Sequence, residues 1–307
     1  MITNLNPQAA LFLAEVNRVE NSIAQANSQV SSGLKITAAS DAPDQIGTLL
    51  QLRANLQRNT QITSNLTLAQ ADADAADNAL GSSIQLMDSA VSLATQGATA
   101  TTDAAGRMTI AQQIQAIQQQ MVTNSQTTVQ GRYIFSGDQD SSPSYTWDPT
   151  AANPVVTVQT PQSTRLIEDP AGGTFPASLT AREIFDDQDP TTDSPATDNV
   201  FNALSTLQTA LQNNDTAGIT SSIALLQAAS SHLNTVDGFY GNVQNEIQNA
   251  NSYAGNYNVQ LQTQISQTED TDLPMAATEL TQANTQLQAA MQMEGQMPHT
   301  SLFNFLG

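Results

Sequence analysis

Few side chains in this sequence could carry out acid–base or metal chemistry. The two histidines are His232 and His299, and cysteine is absent. No His-Glu-x-x-His pattern surrounds either histidine, which excludes a zinc-protease site of that type. Without cysteine, disulfide bonds and thiolate metal sites are excluded as well. We expect both imidazoles to be solvent-exposed and without a catalytic role, and we predict that the chain is not an enzyme.

Two acidic segments could provide carboxylate oxygens for calcium. They are Asp138-Gln139-Asp140 and the run from Asp186 to Asp193. Neither segment has the central glycine and the twelfth-position glutamate of an EF-hand loop. Calcium binding is therefore the weaker alternative, and we predict neither a metal nor a cofactor. Gly172-Gly173 is followed by neither a lysine nor a helix start, so it predicts a turn rather than a phosphate-binding loop.

Two neighbouring aromatic residues could recognise a ligand. Tyr145 and Trp147, the sole tryptophan, could form a surface on which a carbohydrate stacks. That surface would make the middle of the chain a recognition module. Packing in a hydrophobic core accounts for the same two residues at least as well, so both interpretations stay open.

The charge balance excludes some classes of partner. The chain has 8 lysines and arginines against 28 aspartates and glutamates, a net charge of −20, and Lys35 is its only lysine. This charge disfavours binding to nucleic acid and to anionic membranes. No apolar run approaches the roughly 20 residues that cross a bilayer, and the N-terminus lacks a secretory signal pattern. We expect a soluble protein, either cytosolic or exported without a cleaved signal.

The first element that the sequence predicts is a helix with a heptad seam at the N-terminal end of the chain. Its apolar positions alternate steps of four and three residues from Leu5 to Val30, which predicts a coiled-coil helix. Gly33 is placed to cap the end of that helix. A non-helical linker is expected over residues 33–43.

A long helical pair follows the linker. The run Ser40-Asp41-Ala42-Pro43-Asp44 predicts a helix start, with capping oxygens and a proline suited to the first turn. The seam of this helix continues to about Gly97, with one shift of phase at Leu80 that we interpret as a stutter. A third helix is expected from Arg107, with a seam that fades near Gln130.

The middle of the chain differs from both ends. Residues 131–197 hold eight of the 12 prolines. Tyr133-Ile134-Phe135 and Val155-Val156-Thr157-Val158 are short runs of residues that favour strands. We predict a small, mostly β insert with acidic loops over residues 138–197.

Helical patterns return in the last third of the chain. An unbroken seam runs from Leu226 to Leu261 and ends at Glu269-Asp270-Thr271-Asp272. A shorter seam runs from Ala276 to Ala290, and the chain closes with a short apolar tail. The predicted organisation is mostly α with a small β insert: terminal coiled-coil segments over 1–32 and 273–307, a linker over 33–43, an inner helical domain over 44–137 and 198–272, and the insert over 138–197.

The terminal segments have narrow seams, and isolated helices of this kind are marginal in water. We expect them to become ordered by packing against other copies or neighbouring subunits. The alternative is an intramolecular coiled coil with frayed ends. The residues assigned to this assembly interface are Leu5, Phe12, Val16, Val19, Ile23, Val30, Leu280, Leu287, Leu302, Phe303, Phe305 and Leu306.

Several motifs resemble those of bacterial flagellins and their junction relatives. The loop from Ser32-Gly33-Leu34-Lys35-Ile36 to Ser40-Asp41-Ala42-Pro43-Asp44 resembles the one after the first flagellin helix. Gly131-Arg132-Tyr133-Ile134-Phe135-Ser136-Gly137, Arg182-Glu183-Ile184-Phe185 and the tail Ser301-Leu302-Phe303-Asn304-Phe305-Leu306 resemble segments of the hook-associated protein 3 family. The motif residues are Gly33, Ile36, Ser40, Asp41, Pro43, Gly131, Tyr133, Phe135 and Gly137.

The resemblance implies a flagellin-like fold and a structural role. It implies secretion through the flagellar type III export apparatus, with an export chaperone, and assembly as a ring at the hook–filament junction. The terminal helices would bundle as coiled coils and the insert would face outward. Expected partners are other copies of the chain, the other hook-associated junction protein and flagellin.

Two other functions stay open. The loop motif is shared with filament flagellins, so the chain could be a filament subunit. A generic cytosolic coiled-coil adaptor is the second alternative, and it would form a stable monomer or dimer without an ordered polymeric partner.

Overall fold

The described part of the chain contains seven α-helices, six short strands and one 3-10 turn, Gly137–Gln139. The structure, a computed structural model, describes residues 7–151, 153–189, 191–192 and 194–295. The helices are α1 Pro7–Ser32, α2 Ile46–Ala98, α3 Ala104–Ser125, α4 Ala181–Phe185, α5 Val200–Gln212, α6 Thr216–Glu269 and α7 Leu273–Gly295. The protein is therefore mostly helical, as the sequence predicts.

The chain divides into two compact units, and each contains segments from both halves of the sequence. Of the described residues, 7–58 and 257–295 form the terminal unit, and 59–256 form the central unit. The division lies within α2 and α6. The predicted domain boundaries were placed at the linkers instead, because there the hydrophobic seams visibly stop.

Long apolar seams build the core of the central unit. The seam predicted on α6 is buried from Leu226 to Ala254. On α3, the predicted seam residues Ile110, Ile114 and Met121 are buried in the same cluster. Because one stripe of each helix is removed from water, the apolar area of that stripe stabilises the bundle.

The seam of α2 keeps one register from Ile62 to Ala94, so the predicted stutter at Leu80 is wrong. After Leu80 the buried positions are Ser83, Met87, Ala90 and Ala94, which continue the three–four alternation. Ser83 fits there because its hydroxyl donates to the Ala79 carbonyl at 2.7 Å and accepts from the Asn124 side-chain amide at 2.9 Å. A pattern of apolar residues does not include this serine, although its hydrogen bonds are satisfied within the core.

The turn between α2 and α3 is closed by a buried arginine. Asp103 caps α3, accepting a hydrogen bond from the Gly106 amide at 2.7 Å. This places the helix start three residues before the predicted one. Arg107 is 6% exposed, and its guanidinium donates to the carbonyls of Gly97 at 2.8 Å and Thr99 at 3.1 Å. It thereby satisfies acceptors that the end of α2 leaves unpaired.

Short hairpins, rather than a continuous sheet, form the middle of the chain. The strands pair antiparallel in sequence order: β1 Thr128–Val129 with β2 Arg132–Tyr133, β3 Tyr145–Trp147 with β4 Val155–Thr157, and β5 Leu166–Glu168 with β6 Thr174–Pro176. Loops connect them, and α4 lies in the insert after β6. The insert therefore contains two short hairpins, β3–β4 and β5–β6, and one short helix, and more of its length lies in loops than the prediction implied.

Candidate assembly interface

The two terminal helices pack against each other along the predicted seams. α1 ends and α7 begins at the same pair of linkers, so the two helices run antiparallel. Val19 and Ala26 on α1 and Ala276 and Ala283 on α7 are the fully buried positions. Five other predicted seam residues are half-buried: Phe12, Val16, Ile23, Leu280 and Leu287. A pair held mainly by small buried residues is weakly stabilised, since burial energy scales with apolar area.

Large apolar side chains on the same two helices remain exposed to solvent. Leu11 is 72% exposed and Met293 is 66% exposed, and the full set is Leu11, Leu13, Val30, Leu273, Met275, Met291 and Met293. Val30 was predicted to lie in the seam, but it is 37% exposed and Gln29 is half-buried instead. In the last turn of α1, the partly buried side of the helix therefore carries Gln29 rather than Val30.

The tail and the start of the predicted interface lie outside the described residues. These predicted residues are Leu5, Leu302, Phe303, Phe305 and Leu306. In contrast, the exposed Leu11 and Leu13 were missed by the sequence analysis. Leu11, Phe12 and Leu13 are three consecutive apolar residues. A single seam cannot bury all three, so this run could have predicted a wider apolar surface on α1.

A pair of linkers joins the terminal helices to the rest of the terminal unit. We call residues 33–36 and 269–271 the linker bridge. The Lys35 amide donates to the Glu269 carbonyl at 2.6 Å, and the Thr271 amide donates to the Gly33 carbonyl at 2.9 Å. Gly33 has φ +73°, a left-handed conformation that glycine adopts without strain. The predicted C-cap is confirmed, and its amide bonds the Gln29 carbonyl at 2.9 Å.

An ion pair and a small apolar cluster both stabilise the linker bridge. The Glu269 side chain is 7% exposed and its carboxylate pairs with the guanidinium of Arg53 on α2. Ile36 is 4% exposed and packs in a small cluster with Ala42 and Leu49. The buried carboxylate depends on Arg53, because a buried charge without a partner is strongly unfavourable.

The loop motif after α1 closes on itself instead of capping α2. The Asp41 carboxylate accepts from the amides of Thr37 at 2.9 Å and Ala38 at 2.7 Å. These bonds lower the pKa of Asp41, that from Ala38 most. α2 begins at Ile46, so Ser40 and Asp41 lie before its cap and Pro43 lies before its first turn. The predicted helix start is wrong because the aspartate is already used by the loop.

Two models of known protein families match the helical ends of the chain. The N-terminal helical region of bacterial flagellin matches residues 3–140, and the C-terminal helical region of bacterial flagellin matches residues 219–306. The chain belongs to the bacterial flagellin family. No curated protein sequence matches it.

Solved structures of hook-associated proteins share the flagellin-like fold of this chain. One, from Vibrio parahaemolyticus, is described as a flagellar hook-associated protein and aligns with 75% of this chain and 100% of its own, at TM-score 0.63 and 16% identity. FlgL of Xanthomonas campestris aligns with 69% of this chain and 99% of its own, at TM-score 0.55 and 18% identity. FlgL of Bacillus cereus aligns with 73% of this chain and 100% of its own, at TM-score 0.53 and 19% identity.

The second flagellin-like motif lies in the central unit. Gln130 and Gly131 both have positive φ in the two-residue turn between β1 and β2, as a type I′ hairpin turn requires. The Tyr133 amide donates to the Asp140 carbonyl at 2.9 Å. Phe135 is fully buried, with its ring 5.9 Å from that of Phe185 and 6.4 Å from that of Tyr240. This motif therefore anchors the hairpin region to the helical core.

The structure also places the residues that were considered for chemistry in this flagellin-family chain. His232 was predicted to be solvent-exposed, and this prediction is wrong. Its side chain is 18% exposed, and Nε2 lies 2.8 Å from the Glu183 carbonyl oxygen. His299 lies outside the described residues. Tyr145 is 1% exposed and donates to the Asp186 carboxylate at 3.0 Å, so it packs in the core rather than forming a stacking surface with Trp147.

Carboxylates in the described insert are engaged by protein groups. The Asp140 carboxylate pairs with the guanidinium groups of Arg132 and Arg165, and the Asp189 carboxylate accepts amides of its own loop. Within the described ranges, no group of three or more aspartate, glutamate or histidine side chains is arranged to hold a metal ion. Gly172 has φ +103° in the turn between β5 and β6, which confirms the predicted turn at Gly172-Gly173. Of the helices described, none combines the length and apolarity needed to span a membrane.

Proposed function

We propose that this chain is a structural subunit of the flagellar hook–filament junction, and that it assembles there as a ring of copies. The observation that carries the proposal is the fold, which aligns with nearly the whole of three hook-associated protein structures. The match to the flagellin family supports a structural role in the flagellum. In this proposal the protein is secreted and performs no enzymatic reaction.

The terminal helices supply the contacts between copies in this proposal. The pair α1 and α7 buries small residues internally and leaves large ones, such as Leu11 and Met293, exposed. Packing of neighbouring subunits would remove these side chains from water, at roughly 25 cal/mol per Å² of apolar area. The net charge of −20 opposes association, so higher salt should favour it by screening.

The remaining partners follow from the same proposal. The chain would reach its position through the type III export apparatus, with an export chaperone, and would contact flagellin on one side and the other hook-associated junction protein on the other. A filament flagellin is the second candidate function, because the matching family models describe flagellin itself.

The proposal is tested by polar substitution of the exposed leucines. Cells whose only copy of the gene carries Leu11→Ser and Leu13→Ser should have hooks with few attached filaments, scored by electron microscopy. Met108→Ser is the matched control, since Met108 is 45% exposed on α3 in the central unit. Filaments at wild-type frequency with the double variant would contradict an assembly role for these side chains. Circular dichroism of the purified variants checks that they are folded.

A further inference from the structure

Among the described residues, the Lys35 ammonium has no side-chain partner. Lys35 is the only lysine, and the net charge is −20. Arg18 and Arg53 pair with Glu15 and Glu269, and the guanidinium of Arg107 is held by carbonyl groups. In the part of the chain that the structure describes, the Lys35 ammonium forms neither an ion pair nor a hydrogen bond, and the residue is exposed.

Lys35 lies in a polar cleft beside the linker bridge. The cleft has a volume of about 440 Å³ and lies between α1 and the loop after it. Its lining consists of polar side chains: Gln25, Ser28, Gln29, Lys35, Thr37, Ser40 and Asp41. The amide, hydroxyl and ammonium groups among them are hydrogen-bond donors suited to a carboxylate.

The cleft also contains one carboxylate, that of Asp41, which forms no ion pair with the lysine. The Asp41 carboxylate is held by the Thr37 amide, the Thr37 hydroxyl and the Ala38 amide. The backbone of Lys35 is fixed by the bond from its amide to the Glu269 carbonyl at 2.6 Å. The cleft therefore presents the Lys35 ammonium on a fixed backbone, neutral donors around it, and one carboxylate that already accepts hydrogen bonds from its own loop.

We propose that this cleft binds a carboxylate side chain of a neighbouring copy of the same chain. The inference rests on the proposed ring assembly, and it adds a defined charged contact to the apolar contacts of α1 and α7. A chain with 28 acidic residues repels its own copies. A lysine that accepts a neighbour's carboxylate offsets part of that repulsion and fixes the register between copies.

The single lysine makes the test specific. A carbodiimide joins an amine to a carboxylate that touches it, so apart from the N-terminal amine, Lys35 is the only group of this chain that can react as the amine. Flagella isolated from cells are treated with the reagent, and denaturing gels are probed for this chain. We expect a ladder of covalent oligomers whose cross-linked peptides contain Lys35. Lys35→Arg should retain filaments and lose the ladder.

The other outcomes separate this inference from the proposed function. If the protein is present in isolated flagella but forms no self-ladder, the contact between copies is wrong, and a Lys35 cross-link to another protein would assign the cleft to that protein. If the protein is absent from flagella, the proposed function fails and this inference fails with it.

A charge reversal gives an independent readout. Lys35→Glu should reduce the number of attached filaments about tenfold, because like charges across an interface are costly. Gln112→Glu with Gln119→Glu adds the same two negative charges at exposed positions of α3 and should leave filament number unchanged. Equal filament numbers in Lys35→Glu and wild-type cells would overturn the inference.

Discussion

Backbone conformation at Gly137 shows how a single residue is specified by its surroundings. Gly137 has φ +51°, and a Cβ atom added there would lie 2.3 Å from the Ser163 carbonyl oxygen and 3.0 Å from the Pro161 side chain. The resemblance singled out this glycine, but no neighbouring residue in the sequence explains it. The reason is a close approach between segments 26 residues apart, which local patterns do not reveal.

Gly137→Ala should destabilise the central unit by about 2–4 kcal/mol, through a strained φ and the clash with Ser163. Urea unfolding followed by circular dichroism measures the change. Gly81→Ala is the matched control: Gly81 lies in α2 with no atom within 4 Å of the added Cβ, and the substitution should stabilise by about 0.5–1 kcal/mol. Equal stability of the two variants would refute this account of Gly137.

A pair of carboxyl groups makes the central unit sensitive to pH. Burial raises the pKa of Asp237 above its usual value of 3.8, and the nearby Asp77 carboxylate raises it further. The folded state therefore binds this proton more tightly than the unfolded chain does. The resulting stability is complete below pH 3.8 and is lost as the pH rises through the raised pKa.

Asp237→Asn should accordingly raise the thermal midpoint of the protein at pH 7 and remove this group's contribution to stability at acid pH. The measurement is thermal unfolding by circular dichroism across a pH series. Asp88→Asn removes an exposed charge from α2 and serves as the control. A midpoint at pH 7 unchanged by Asp237→Asn would show that the carboxyl pair does not oppose folding.

At the scale of elements, hydrophobic periodicity identified the helices well and their ends poorly. The seams of α3 and α6 are buried where the spacing predicts, because burial of one stripe determines which residues face the core. In two places where the prediction of a seam or a helix end failed, hydrogen bonds of a polar side chain were the cause. Ser83 occupies a core position through its hydrogen bonds, and Asp41 leaves the start of α2 to bind loop amides. Both exceptions depend on partners that a spacing pattern does not include.

The linker bridge gives a prediction at the same scale. Arg53→Met leaves the carboxylate of Glu269 without its partner, although that side chain is 7% exposed. We expect a loss of about 1–2 kcal/mol, below the usual cost for a buried pair because the arginine itself is half exposed. Amide hydrogen exchange at Lys35 and Thr271 should accelerate by about tenfold.

Arg58→Met is the control for that experiment, since it removes an arginine from the same helix outside the linker bridge. It should leave exchange at Lys35 and Thr271 unchanged. Unchanged exchange in Arg53→Met would mean that the backbone bonds alone maintain the bridge.

At the scale of the whole molecule, the motifs and hydrophobic seams of the sequence predicted the family and the helical architecture, and both predictions were confirmed. The breaks in the seams predicted domain boundaries at the linkers, whereas the two compact units divide within α2 and α6. Seam breaks mark where a helix ends, but they do not reveal which stretches of a continuous helix share a core. Assembly is also a property of several chains, so the exposed leucines and methionines of α1 and α7 suggest contacts without defining the partner.

The most direct test of the junction role is deletion of the gene followed by complementation. Filaments on cells and flagellin in the medium are scored together. A junction subunit predicts hooks without filaments and flagellin lost to the medium, with both defects corrected by the wild-type gene. Filaments that persist on cells lacking the gene would contradict the account and indicate a redundant filament subunit or an adaptor.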